Sequence, residues 1–257
     1  MNAAAAPADL RIDSNGAVVR LTLARPAAAN CLSRATMAAL AAALAAADAD
    51  TGCRAVVITG SGDRVFCAGA DLHDASLFEP EATTPAPFAQ LLRALRTVDI
   101  PVIARVNGSA FGGGVGLLGL CDFVIAADDA RFVISEIDIG LFPTQVVSAL
   151  QRTLQRARLV RMCMTGEAIG AVDALATGLV GEVVPRTSLD AAVARLLDVL
   201  LAKPAEALRR GKQMLRAIEA APFDESLRRT EAVLQAQLRD PAAAERLRTL
   251  RERRRRP

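Results

Sequence analysis

Asn107-Gly108-Ser109-Ala110-Phe111-Gly112-Gly113-Gly114-Val115-Gly116-Leu117 is the most constrained stretch of the chain. It follows an apolar, strand-like run, Val102 to Val106, and opens an apolar, helix-like one. A glycine inside a helix costs about 1 kcal/mol against alanine. Three in a row at a helix start need a reason, and close approach of the backbone by another segment or a ligand is one. The N–H groups at a helix N-terminus are unpaired, and the helix dipole is positive there. Both suit an oxygen that turns negative during a reaction. Two other readings stand beside this one. The glycines can serve only to pack helix tightly on strand. Gly114-Val115-Gly116-Leu117-Leu118-Gly119 also matches the dinucleotide pattern G-x-G-x-x-G, with Glu136 near the expected downstream distance. That pattern belongs in the turn directly after a strand, whereas here residues 107–113 intervene and its glycines fall inside the helix.

Composition narrows the class. The 257 residues allow one large domain or one domain plus a small appendage, and 52% of them are hydrophobic, ample for a buried core. A net charge of +3 gives no ground for a nucleic-acid partner. The cysteines at 31, 53, 67, 121 and 163 show neither a C-x-x-C spacing nor a disulfide framework, which fits a reducing cytoplasm. Met1 to Asp9 lacks the basic and apolar regions of a signal peptide. Ser109 to Leu120 with Val124 to Ala127 is apolar enough to mimic a membrane span. Asp122 and the repeated glycines favour a buried helix followed by a strand, so no membrane association is expected.

Strands and helices alternate through the first half. Val18–Leu23 alternates like a half-buried strand, and Ala55–Gly60 reads as a fully buried one. Ser33 is placed to cap a long alanine-rich helix ending near Ala49. Residues 72–87, with prolines at 80, 85 and 87, read as irregular and mobile, and Phe88–Val98 as a short amphipathic helix. Strands follow at Pro101–Val106, Asp122–Ala127 and Phe132–Ile134. From Thr144 the pattern is helical, over about 145–164, 171–177, 188–201, 205–220, 223–238 and 242–254, with one short strand before Pro185. Alternation of this kind predicts an α/β core. The expected division is a core over 1–187 and a helical region over 188–257. The Arg251–Arg256 run reads as a solvated helix end whose cations suit the dipole, with RNA or acidic lipid as the sharper alternative.

A second stretch, Phe66-Cys67-Ala68-Gly69-Ala70-Asp71-Leu72, changes the balance. Together with Asn107 to Gly116 it resembles the crotonase family, the enoyl-CoA hydratase/isomerase superfamily. The resemblance also takes in Arg25-Pro26 with Asn30, Val56 to Gly60, Pro101 to Ala104, Cys121-Asp122, Glu136 with Gly140, Thr165-Gly166, and Ala174 with Gly178 to Val180. It implies a crotonase-like spiral of β-β-α turns with a C-terminal helical region. It also implies trimers or dimers of trimers and an acyl-CoA thioester substrate, with no cofactor beyond the coenzyme A of that substrate. Two backbone N–H groups hold the thioester oxygen in the family. Motif matching places them here on Ala68 and Gly113. Gly69, Ala70, Asp71, Leu72, Gly112 and Gly116 join Ala68 and Gly113 as expected substrate-binding positions. Each aligned donor contributes about 3 kcal/mol in the transition state.

The acid/base residues depart from the family pattern. Many hydratases of the family carry two glutamates. The second matches Glu136, and the first falls on Gly116. The apolar neighbours of Glu136 predict a raised pKa suited to proton transfer. Three readings follow. Glu136 can hydrate a 2-enoyl thioester with help from a second group or an ordered water. It can instead carry a proton from C2 to C4, as a Δ3-Δ2 isomerase does. Gly116 can also make room for an anion such as bicarbonate or for a bulkier acyl group. Asp138 is a candidate substitute acid. After Gly140, Pro143-Thr144-Gln145-Val146-Val147 replaces the family's usual Pro-Gly-x-Gly-Gly-Thr. His73, the only histidine, has no evident Ser or Cys partner. That argues against Ser-His-Asp chemistry and multi-histidine metal sites, and no metal is expected. Asp71 and Asp122 read as structural. Hydration by an enoyl-CoA hydratase-like lyase is the first expectation and the isomerase the second. A non-catalytic acyl-CoA-binding or RNA-binding relative is the reading from another class.

Overall fold

The computed structural model describes residues 9–77, 86–219 and 221–239, together with 241 and 245. The Arg251–Arg256 run, most of the helix expected over 242–254 and most of the proline-rich part of 72–87 lie outside the described residues. In chain order the strands and helices are β1 (Leu10–Asn15), β2 (Val18–Leu23), α1 (Arg34–Ala49), β3 (Ala55–Gly60), β4 (Val65–Cys67), α2 (Pro87–Thr97), β5 (Val102–Val106), β6 (Ser109–Phe111), α3 (Gly113–Leu118), β7 (Phe123–Ala127), β8 (Arg131–Val133), α4 (Thr144–Leu150), α5 (Arg156–Thr165), β9 (Ile169–Gly170), α6 (Ala171–Ala176), β10 (Glu182–Val184), α7 (Leu189–Leu201), α8 (Ala205–Ile218) and α9 (Phe223–Leu238).

Six strands form one sheet in the order β1-β2-β3-β5-β7-β10, and four form a second, β4-β6-β8-β9. β1 and β2 are an antiparallel hairpin, while β2, β3, β5, β7 and β10 run parallel. In the second sheet β4, β6 and β8 are parallel and β9 is antiparallel to β8. Each turn of the spiral gives its first strand to the larger sheet and its second to the smaller, then a helix. The series runs β3-β4-α2, β5-β6-α3 and β7-β8-α4. The expected α/β spiral of β-β-α turns is the fold observed. β3 is buried along its whole length because β2 and β5 flank it and α7 packs on it, as its apolar run Ala55–Ile58 requires.

Local signals explain the helix starts. The Ser33 hydroxyl accepts from Thr36 N–H at the head of α1. Pro87 sits in the first turn of α2, where its missing N–H leaves no orphan donor. The helix expected over 145–164 is two, α4 and α5, interrupted at residues 151–155. Two buried asparagines stitch the turn after β3. Asn30 donates to Ser61 O and Val65 O at 3.0 and 2.8 Å, and Asn107 accepts from Gly60 N–H at 2.9 Å while donating to Gly62 O at 2.9 Å.

The chain divides into two compact units, one up to Ala202 and one from Lys203 onward. α7, assigned by the sequence to the helical region, packs on β3, β5 and β7 in the first unit. In the second unit α8 packs on α9, and Arg229 donates to Ala217 O at 2.8 Å. Among the described residues no helix is long and apolar enough to cross a membrane.

Candidate active site

The loop after β4 is held by the segment before α1. Ala68 N–H donates to Ala29 O at 3.0 Å, Leu32 N–H to Gly69 O at 2.7 Å, and Asp71 N–H to Leu32 O at 2.9 Å. Gly69 N–H reaches the Cys67 sulfur at 3.5 Å. Ala70 N–H alone of residues 68–71 has no hydrogen-bond partner among the described residues. This corrects one expectation. Ala68 is unsuited to an oxyanion hole because its N–H is spent inside the fold, and Ala70 carries the open donor.

Gly69 brings that donor to the helix start. Its φ is +83°, and a Cβ on it would lie 2.9 Å from Phe111 O and 3.0 Å from Gly113 N. No L side chain fits between the two backbones. Gly113 N–H, at the head of α3, has no partner among the described residues, as helix geometry predicts for its first turn. Gly114 plays the packing role set out as the plainer reading, with a would-be Cβ 2.4 Å from Cys67 O. The dinucleotide reading fails on this geometry, since Gly114 and Gly116 lie within α3 and not in the turn before it.

Glu136 opens a 3-10 turn, Glu136–Ile139, that follows β8. Its carboxylate stands against Gly112, where a Cβ would come within 2.7 Å of Oε1. Oε2 is buried without a hydrogen-bond partner among the described residues. Burial raises the Glu136 pKa above its ordinary value, as its apolar neighbours led us to expect. The Cys163 thiol on α5 is pushed up to about 11, by burial first and then by the Glu136 charge.

Ala70, Gly113 and Glu136 line one cavity of about 200 Å³. Its other walls include Met37, Phe88, Phe142 and Val146, with the Thr144 and Gln145 side chains at the start of α4. A concave, mainly apolar site with few polar groups is the usual form of a small-molecule site. The sequence pointed to the segment 143–147 as a departure from the family at the acyl end of the pocket and missed Gln145 and Phe88 as wall residues. Nothing in their local spacing marks them, because α2 and α4 meet α3 only in the folded chain.

The remaining expected positions lie elsewhere. Gly69 and Gly112 shape the cavity from behind and do not line it. The Asp71 carboxylate is buried, accepts from Arg25 at 2.7 Å and from His73 N–H at 3.0 Å, and is structural. Burial raises its pKa, but the Arg25 and His73 hydrogen bonds outweigh this and leave it lowered. Asp122 accepts from Val102 N–H at 2.7 Å, likewise structural. Leu72 is 60% exposed, outside the cavity. Gly116 is shielded, since a Cβ there would meet the Phe88 ring at 3.2 Å and Val146 at 3.5 Å. That closes the space suggested for an anion or a bulky acyl group beside it. Asp138 is exposed, with its carboxylate against Gly166, and does not line the cavity.

A family model for enoyl-CoA hydratase/isomerase matches residues 13–255. The chain is 36% identical over 209 residues to 2,3-dehydroadipyl-CoA hydratase of Escherichia coli K12, covering 81% of this chain and 82% of that one. It is 35% identical over 222 residues to carnitinyl-CoA dehydratase of Salmonella typhi, covering 85% of this chain and 84% of that one. Among solved structures, an enoyl-CoA hydratase of Mycobacterium smegmatis superposes with a TM-score of 0.88 at 33% identity, over 95% of this chain and 96% of that one. The open N–H groups, the half-buried glutamate and these likenesses agree, and the chain belongs to the enoyl-CoA hydratase/isomerase family, within the crotonase superfamily.

Proposed function

We propose that the protein is a hydratase-like lyase that adds water to a 2-enoyl-CoA thioester, with Glu136 as its single acid/base. The observation that carries this is that Ala70 and Gly113, whose N–H groups are open among the described residues, line one cavity with Glu136, whose Oε2 is buried and unpartnered. The thioester oxygen accepts from the two N–H groups. Glu136 takes a proton from water while the water oxygen bonds to C3. The C2=C3 electrons move toward the thioester, and the resulting enolate charge rests on the oxyanion donors. Glu136 then returns the proton to C2, so water has added across the double bond and the carboxylate is regenerated. Each donor contributes about 3 kcal/mol to this step, because the oxygen gains charge only in the transition state.

The same reading carries a homotrimer or dimer of trimers. Ile139, Phe142, Met164 and Val172 support it as large apolar side chains left exposed on the first unit.

Turnover of a panel of 2-enoyl- and 3-enoyl-CoA esters is the test. Loss of conjugated-enoyl absorbance marks hydration. Its appearance from 3-enoyl esters alone marks the isomerase, which one carboxyl in an apolar cavity also supports. Glu136→Gln is expected to lower kcat by about 100- to 10,000-fold. In hydration Glu136 must begin ionised. The wild-type rate therefore falls as pH drops through a pKa above the ordinary glutamate value of 4.5, and a limb at or below that value would contradict the assignment.

A further inference from the structure

We infer that the Gln145 carboxamide is the second polar group of the site, holding the attacking water against Glu136; this rests on the hydratase reading above. A hydration needs two hydrogen-bonding points on the water, one to take its proton and one to aim its lone pair at C3. Glu136 supplies the first. The position from which the family's first glutamate would supply the second is Gly116, and Phe88 and Val146 close the space beside it. Asp138 lies outside the cavity. The cavity walls carry polar side chains only at Glu136, Thr144 and Gln145 among the described residues. Thr144 is exposed, whereas Gln145 is half-buried and its carboxamide has no hydrogen-bond partner among the described residues. Only residues 140–143 separate the Glu136 turn from α4, so the two side chains reach the cavity from adjoining segments.

A carboxamide suits the task. Its oxygen accepts the O–H that the water keeps, and it stays neutral at every working pH. The other O–H is donated to Glu136, so the proton inventory of the reaction is unchanged. Gln145 is a positioning residue in this scheme, since it exchanges no proton.

The test compares Gln145→Ala and Gln145→Met with wild type and Glu136→Gln. It measures kcat and KM on a 2-enoyl-CoA and the Kd of a saturated acyl-CoA of equal length. Met keeps the side-chain length and removes only the amide, which separates positioning from packing. Both Gln145 variants are expected to lose about 10- to 100-fold in kcat, with KM and Kd within about threefold of wild type. A wild-type kcat in Gln145→Met overturns the inference. So does a fall in kcat matched by a rise in Kd, because that marks a structural role. If Glu136→Gln loses activity while Gln145→Met keeps it, this inference alone falls. A wild type that hydrates no 2-enoyl-CoA removes the hydratase reading and the inference with it.

Discussion

Gly112 and Glu136 share one small volume, and the chemistry of the site depends on which of them fills it. Gly112 has φ +46°, a conformation that L side chains rarely adopt, and its missing Cβ leaves the space that Oε1 occupies. Gly112→Ala is therefore expected to push the carboxyl off its position and lower kcat by about 100-fold, since displacements near 1 Å cost that much. A steady-state comparison on the best substrate checks it. Glu136 itself is held at a cost to the fold. Its folded pKa is raised, so the folded state favours the protonated acid. That contribution is fully present below the unfolded pKa and is lost as pH rises through the folded one. Glu136→Gln removes the ionisable group. Relative to wild type its thermal midpoint should rise at neutral pH, and the gain should vanish in acid below the ordinary glutamate pKa. Thermal unfolding at two pH values checks this, and equal differences at both would contradict it.

At the scale of elements, α2 and α4 decide what the glycine-rich start of α3 is able to do. The Phe88 ring from α2 lies over Gly113 and Gly116, and Val146 from α4 completes the cover. Gly116→Glu by itself would not restore a second acid, because the new side chain meets that ring. It is expected to destabilise the protein by about 1–3 kcal/mol, the usual cost of overpacking. Adding Phe88→Ala opens the space, so the double variant should be more stable than the sum of the single changes by about 1 kcal/mol or more. Urea unfolding of the three variants measures that coupling, and simple additivity would show that Phe88 does not fill the place of the missing carboxylate. The loop after β4 makes the same point in backbone terms. Its sequence, Ala68-Gly69-Ala70-Asp71, stood out for its small residues, and Ala70 lines the cavity. Which of its N–H groups stayed open was settled by the segment Ala29–Leu32 pairing with it.

For the whole molecule, the exposed apolar side chains of the first unit favour self-association. Light scattering of the full chain is expected to give three or six times the mass of one chain, and a monomer at micromolar concentration would remove the proposed assembly. The spiral architecture was legible because most of its longer strands and helices advertise themselves locally. The apolar run Ala55–Ile58, the Ser33 cap and the glycines 112–114 are examples. The hairpin strand β1 and the short strands β4, β6 and β9 escaped notice, since short segments carry too little periodicity to stand out.

By itself the sequence determined the family, the alternation of strand and helix, and Glu136 as the one family carboxylate present, because these depend on residue type and spacing. Only the tertiary structure decided that Ala70 and not Ala68 offers the free N–H, that Phe88 and Val146 close the space beside Gly116, and that Gln145 joins Glu136 in the cavity. The physical reason is that a hydrogen bond or a filled volume is a relation between segments distant in the chain. No residue signals in its own neighbourhood whether another backbone has already taken its donor or another ring its space.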